Sequence, residues 1–233
     1  MKRNTILAIL VAVGVPVLFF MLFEGGRGLP TKPRLPHFHA LSNTDTQNNK
    51  ITLKDTTWHT IGSFEWEGYH NKKITQKTLE NKVCVTSFLS TKNPNSELVI
   101  KAYQVLYEKF KDRRDVFFLV ATLSPQADPM PDLRNYADRF EVDSSRCLFA
   151  SADSLSIYKT AVEQFKANNN VATTSSSDLI NNPPIVLIDK NQTIRGHYRV
   201  QDADFPHRLI SDLLILMLEY PEERPTIKRK SDL

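Results

Sequence analysis

Thiolate chemistry has almost no foothold in this sequence. Cysteine occurs twice, at Cys84 and Cys147, and there is no CxxC, CxxxC or cysteine–histidine cluster. That excludes a vicinal redox pair and a zinc site built on thiolates. Each cysteine sits in an apolar run, VCVTSF or CLFAS. A thiol there behaves as a small hydrophobe, so both are expected to be buried and inert, with a disulfide between them as the alternative. A basic stripe interleaved with aromatics is also missing, which argues against a nucleic-acid partner. The formal charge of +4 comes from the ends, Lys2, Arg3 and Lys228-Arg229-Lys230. The body is close to neutral and the basic tail reads as solvated. No internal repeat is visible.

A cleavage site is lacking as well. Met1 to Asn4 is a basic start, and Thr5–Phe23 carries no charged residue. That stretch nears the length of a membrane-spanning helix, in which Gly14 and Pro16 are tolerated. Its end, VLFFMLFEGG, has no A-x-A-like motif and no cysteine for lipid attachment. We therefore expect an uncleaved signal anchor over residues 5–23. Lys2 and Arg3 keep the N-terminus inside, so in a bacterium the domain faces the periplasm from the inner membrane. Residues 24–50, rich in glycine and then proline, read as a linker. A domain over 51–220 and a charged tail over 221–233 follow. His37 and His39 flank Phe38; an H-x-H pair can bind a metal, and solvated imidazoles are the plainer reading.

Asp55 to Leu79 reads as a β-hairpin, with Phe64, Trp66 and Tyr69 before a His70-Asn71-Lys72 turn and Lys73-Ile74-Thr75 returning. His59 and His70 are expected at the surface. The unbroken apolar runs Val83–Leu89 and Val116–Leu123 are buried strands of the parallel type. Cys147–Ala150, Ile185–Asp189 and Thr193–Val200 supply further strands. Helices are expected over Asn95–Lys111, with Leu98, Ala102, Val105, Leu106 and Phe110 inward, and over Asp132–Phe140. Two more are expected over Asp153–Lys166, with Leu155, Tyr158, Val162 and Phe165 inward, and over Asp204–Leu218, with Leu214 among its inward residues. Asn168–Asn182 is polar and low in complexity, an exposed loop. The alternation gives an α/β sandwich with a mixed central sheet flanked by helices. Between strand and helix, Ser90–Lys92 forms a turn and Asn93-Pro94 opens the helix, with Asn93 as N-cap, Pro94 in the first helical position and Glu97 in the first turn.

This order resembles the thioredoxin-like fold and, within it, the Sco/SenC family of membrane-anchored copper chaperones. The resemblance is carried by LPHFHALS after the anchor, by the Trp58–Leu79 hairpin, by KVCVTSFLST, by YEKFKDRRDVFFLVATLSPQADPMPDLRNYADRF and by IVLIDKNQTIRGHY. It implies a C-x-x-x-C copper motif in the turn and a histidine ligand before the fourth strand. Here those positions are Asn93, Glu97 and Asn181, while Pro94 stays. Asparagine and glutamate are poor ligands for Cu(I), so no resident metal or cofactor is expected. Pro183 stands where the resemblance implies a cis-proline facing the turn; the base rate of X–Pro bonds favours trans.

Three functions remain open at this point. The first is a non-enzymatic assembly factor of cytochrome oxidase biogenesis, binding an oxidase subunit or a metal-competent Sco paralogue through Asn93, Pro94, Glu97 and Pro183. The second is a copper site rebuilt from His37, His39 or His197. The third is a thiol enzyme using Cys84 or Cys147.

Overall fold

The computed structural model describes residues 12–16, 33–41, 44–47, 50–53, 57–68, 72–139, 145–168 and 175–220. The chain divides into two compact units, Met1–Arg34 and Leu35–Leu233. In the first, residues 12–16 are helical. The rest of the Thr5–Phe23 stretch lies outside the described residues, as do His70 and the tail from residue 221. No helix among the described residues is long and apolar enough to cross a membrane.

In the second unit the strands are β1 (Ala40–Leu41), β2 (Thr44–Gln47), β3 (Lys50–Leu53), β4 (Thr57–Trp58), β5 (Glu65–Gly68), β6 (Lys73–Thr75), β7 (Val83–Leu89), β8 (Val116–Thr122), β9 (Cys147–Ser151), β10 (Pro184–Ile188) and β11 (Ile194–Arg199). The helices are α1 (Ser96–Lys109), α2 (Met130–Asp138), α3 (Ser154–Glu163), α4 (Ser176–Asn181) and α5 (His207–Glu219). Seven strands form one mixed sheet in the order β11-β10-β7-β8-β9-β5-β6. β7, β8 and β9 run parallel, and antiparallel pairs complete both sides.

β7 is buried along its whole length. Val83, Val85 and Leu89 point to one face, where they meet α1, α2 and α5. Cys84 and Phe88 point to the other, against α3 and α4. A strand covered on both faces needs no polar alternation, which is why the sequence reads as one apolar run.

Three expectations are corrected by the packing. The segment read as linker through residue 50 belongs in part to the compact unit, which starts at Leu35; Leu35 itself is buried. Within it β1 pairs with β4 and β2 with β3. The inward helix faces are rotated from those expected. α1 buries Val99, Ala102, Tyr103 and Leu106 and leaves Leu98 and Val105 exposed; Leu155 of α3 and Leu214 of α5 also face out. Helix length and period were readable, but the sheet decides which apolar stripe it covers. Finally, the polar loop of 168–182 contains α4. Ser175 accepts from Asp178 N and Asp178 returns to Ser175 N, a capping box that starts this short helix.

Arg195 of β11 ties the start of the second unit, at Leu35 and Pro36, to the end of α5. Its side chain is 1% exposed and pairs with Asp189, 0% exposed, at 3.0 Å. Its Nη2 also donates to both Glu219 oxygens of α5 at 2.8 Å and to Leu35 O at 2.7 Å, and its Nε donates to Pro36 O. Glu219 in turn accepts from Leu35 N at 2.7 Å. Removing the cation leaves the buried Asp189 carboxyl without its ion-pair partner. Arg195→Ala is expected to cost about 3–5 kcal/mol in chemical denaturation of the full-length chain. A loss below about 1 kcal/mol, the scale of a surface pair, would show that the unit does not depend on this staple.

Candidate functional site

The strand–turn–helix junction after β7 is built from local hydrogen bonds. Beneath the turn lies Asp128, fully buried. It accepts from Thr91 N at 3.0 Å, from the Thr91 hydroxyl, and from Thr122 Oγ1 at 2.7 Å, so it pins the turn to the end of β8. Ser96 Oγ donates back to Ser90 O at 2.7 Å. Nothing in the sequence singled out Asp128; the available signal was an acidic residue in a proline-rich loop facing a Ser/Thr turn.

Asn93 does cap, though not α1 directly. Its Oδ1 accepts from Asn95 N at 3.0 Å. Ser96 N then donates to Asn93 O and Glu97 N to Pro94 O, a tight i to i+3 lead-in. The α-helix proper begins at Ser96, with Asn95 as its N-cap. Pro94 and Glu97 are exposed.

The fold brings the other expected site residues to this junction. Asn93 Nδ2 donates to Ile180 O, and Asn95 Nδ2 donates to Asn181 O at 2.9 Å. Two side-chain amides thus clamp the C-terminal carbonyls of α4 onto the junction, satisfying acceptors that a helix end leaves open. The Asn181 side chain is exposed. Pro183 is buried next to it, and its peptide bond is trans; the cis bond among the described residues is Phe205–Pro206. The cis-proline implied by the resemblance is therefore not at Pro183. The donors at this junction do not fit copper. Both amides are engaged with carbonyls, and of the implied ligand positions Glu97 alone carries a carboxylate.

The thiols are buried within the sheet rather than exposed at the junction. Cys84 faces the α3 layer and Cys147 the α1 layer, so they lie on opposite faces of the sheet and are unpaired. Burial pushes the Cys84 thiol up to about 12, and pushes Cys147 up as well. Neither holds a thiolate at neutral pH, which removes the nucleophile that thiol exchange requires.

The histidines behave differently from expectation. His39 Nε2 lies 2.9 Å from His197 Nε2, across a wide separation in sequence. His59, expected at the surface, is half-buried beside them, with its ring centroid 6.5 Å from that of His39 and its Nε2 donating to Gln164 O at 2.7 Å. His37 points away and stacks on Trp58 with centroids 5.0 Å apart. Burial, then the neighbouring His39 and Arg199, push His197 down to about 4. Burial, then His59 and Lys166, lower His39. Among the described residues no group of three or more His, Cys, Asp or Glu side chains stands ready-made as a metal site.

No family model matches the sequence, and no curated relative does. Solved structures do match. The SCO1/SenC family lipoprotein from Bacillus anthracis str. Ames superposes with a TM-score of 0.55 at 20% identity, covering 68% of this chain and 95% of its own. BsSco, described as a member of the Sco family of cytochrome c oxidase assembly proteins, gives 0.54 at 17% identity over 69% and 95%. Arabidopsis thaliana ScoI, solved with copper bound, gives 0.51 at 13% identity over 69% and 99%. At such identities the likeness establishes the fold: a thioredoxin-like α/β sandwich of the kind these proteins share.

Two outcomes follow from the buried groups. A thiol reagent applied at about pH 8 should label neither cysteine in the folded chain and both after unfolding; rapid labelling of native protein would contradict the placement of the thiols. The depressed His197 stays neutral in the fold while the unfolded imidazole takes up a proton. Its contribution to stability is whole above its ordinary 6.5 and is lost as pH falls toward about 4. Denaturation midpoints of His197→Gln should fall less steeply over that window than those of the wild type; parallel curves would reject this account.

Proposed function

We propose that this chain is a membrane-anchored, Sco-like assembly factor of cytochrome oxidase biogenesis that works by binding rather than by chemistry. Its partner is an oxidase subunit or a metal-competent Sco paralogue. The observation that carries this reading is the amide clamp. Where copper chaperones of the resembled family hold thiolate and imidazole ligands, Asn93 and Asn95 lock α4 in place. The copper and redox site has been exchanged for a fixed surface made by Asn93, Pro94, Glu97 and the α4 end before Pro183. The buried thiols support a non-enzymatic role, because neither reaches that surface. The fold shared with BsSco supports the connection with oxidase assembly. The uncharged Thr5–Phe23 stretch behind a basic start supports anchoring in the bacterial inner membrane with the domain in the periplasm.

Deletion and complementation test this reading. Loss of the gene should lower assembled, copper-loaded oxidase. A Cys84→Ser/Cys147→Ser chain should restore it, because no thiol takes part. Glu97→Arg, an exposed charge reversal on the docking face, should leave the fold intact and fail to restore it. Rescue by Glu97→Arg together with failure of the double serine chain, shown to be folded, would overturn the proposal in favour of thiol chemistry.

A further inference from the structure

A cleft of about 600 Å³ lies beside β11 in the second unit. That volume falls in the range of about 300–1,000 Å³ usual for small-molecule sites. Leu35 and Phe38 of the leading segment and Pro184 at the start of β10 give it apolar lining. On the α5 side it is lined by a close approach. Tyr198 folds back over Gly196, and a Cβ on Gly196 would come within 2.3 Å of the Tyr198 hydroxyl oxygen. Glycine alone leaves that ring its place. The hydroxyl donates to Asp212 Oδ2 at 2.7 Å, and the Arg208 guanidinium lies 5.0 Å from the ring centroid.

The charges around the cleft do not cancel locally. Arg195 is paired with Asp189 and Glu219, and Arg208 with Asp202 and Asp204. His197 is neutral at neutral pH. Arg199 is different. Its half-buried guanidinium donates to Asn182 O at 2.9 Å and to Ala167 O at 3.0 Å, and among the described residues no carboxylate lies within ion-pair distance of it. Asp202 acts on it only from farther away, and burial lowers its pKa. Carbonyls orient a guanidinium without neutralising it, and two of its five N–H groups are used by them. A half-buried cation held this way favours an incoming anion.

We propose that this cleft binds a small monocarboxylate with an apolar body, the carboxylate held by Arg199 and the body lying against Leu35, Phe38 and Pro184. The planar guanidinium fork matches a carboxylate, and a charge-assisted hydrogen bond is about twice as strong as a neutral one. Asp202 and Asp212 line the same cleft, so a doubly charged phosphate ester is opposed there. A free acid and the C-terminal residue of a peptide both present this chemistry. The two carbonyl contacts of Arg199 also tie the chain after α3 to the end of α4, so its loss costs stability as well as binding.

The proposal does not rest on the assembly reading. The full-length chain in detergent, against a detergent-only blank, is titrated calorimetrically with butanoate, hexanoate, butylamine and butyl phosphate. One butanoate per chain is expected, and hexanoate should bind roughly tenfold more tightly because two more methylenes are buried. Butylamine and butyl phosphate should bind at least about tenfold more weakly than butanoate. Acetyl-Ala-Leu separates the two sources: binding like hexanoate assigns a peptide C-terminus, exclusion assigns free acids, and both uphold the proposal. Arg199→Gln should weaken hexanoate binding at least about tenfold, and Lys109→Gln, exposed on α1, should leave it unchanged. Thermal unfolding without ligand identifies a variant that fails to fold. For that case the wild-type chain gives a second reading, in nuclear Overhauser contacts between hexanoate methylenes and the Phe38 ring. Absence of saturable acid binding, equal binding of the amine or the phosphate ester, unchanged binding by folded Arg199→Gln, or a bound acid without contact to Phe38 would each overturn the proposal.

Discussion

The second unit depends on one buried cation. Arg195 spends its hydrogen bonds on groups from distant parts of the chain: Leu35 and Pro36 at the start, Asp189 in the last hairpin and Glu219 at the end of α5. A guanidinium taken out of water is costly, and two carboxylates with two carbonyls in good geometry are what make its burial tolerable. Asp189 is held in turn by Thr193 N, Thr193 Oγ1, Asn191 N and the Tyr220 hydroxyl. The result is directional. An apolar patch would let the leading segment slide, whereas this network admits one register of Leu35–Phe38 beside β11. The meeting of His39 with His197 follows from that register.

The sheet carries the remaining organisation in layers. β7 lies between β8 and β10, so its two faces bury two different clusters. On one side Trp66 stacks on Phe165 and meets Phe88 edge-on, with Phe64 beside them. These aromatics join the hairpin β5–β6 to the rest of the unit, which is how a short peripheral hairpin becomes part of the main sheet.

Much of this was legible in the residues. The apolar runs at Val83 and Val116 announced central parallel strands, and the alternation of strands with helical periods announced the α/β class. The Asn93-Pro94 step announced a helix start. What could not be read was any quantity set by a partner far along the chain. Leu98, Val105, Leu155 and Leu214 have the spacing of core residues and face solvent, because adjacent apolar stripes compete and only the sheet chooses. Asn95 read as the first residue of a helix, and its part in the clamp shows only once α4 supplies a carbonyl for its amide. His39 and His197 are separated by most of the domain, and only the Arg195 register brings them together. Capping signals for α4 were present in Ser175 and Asp178, but low complexity around them masked their meaning.

The amide clamp at the junction has a further bearing on how this domain meets its surroundings. Asparagine side chains neither titrate nor oxidise reversibly, and they hold Cu(I) weakly. A turn held by thiolates changes shape with the redox poise, the copper supply and the pH of its compartment. One held by Asn93 and Asn95 presents the same face under all three. Where those conditions vary, such a domain offers a constant reference surface, insensitive to the signals that would switch a turn held by thiolates.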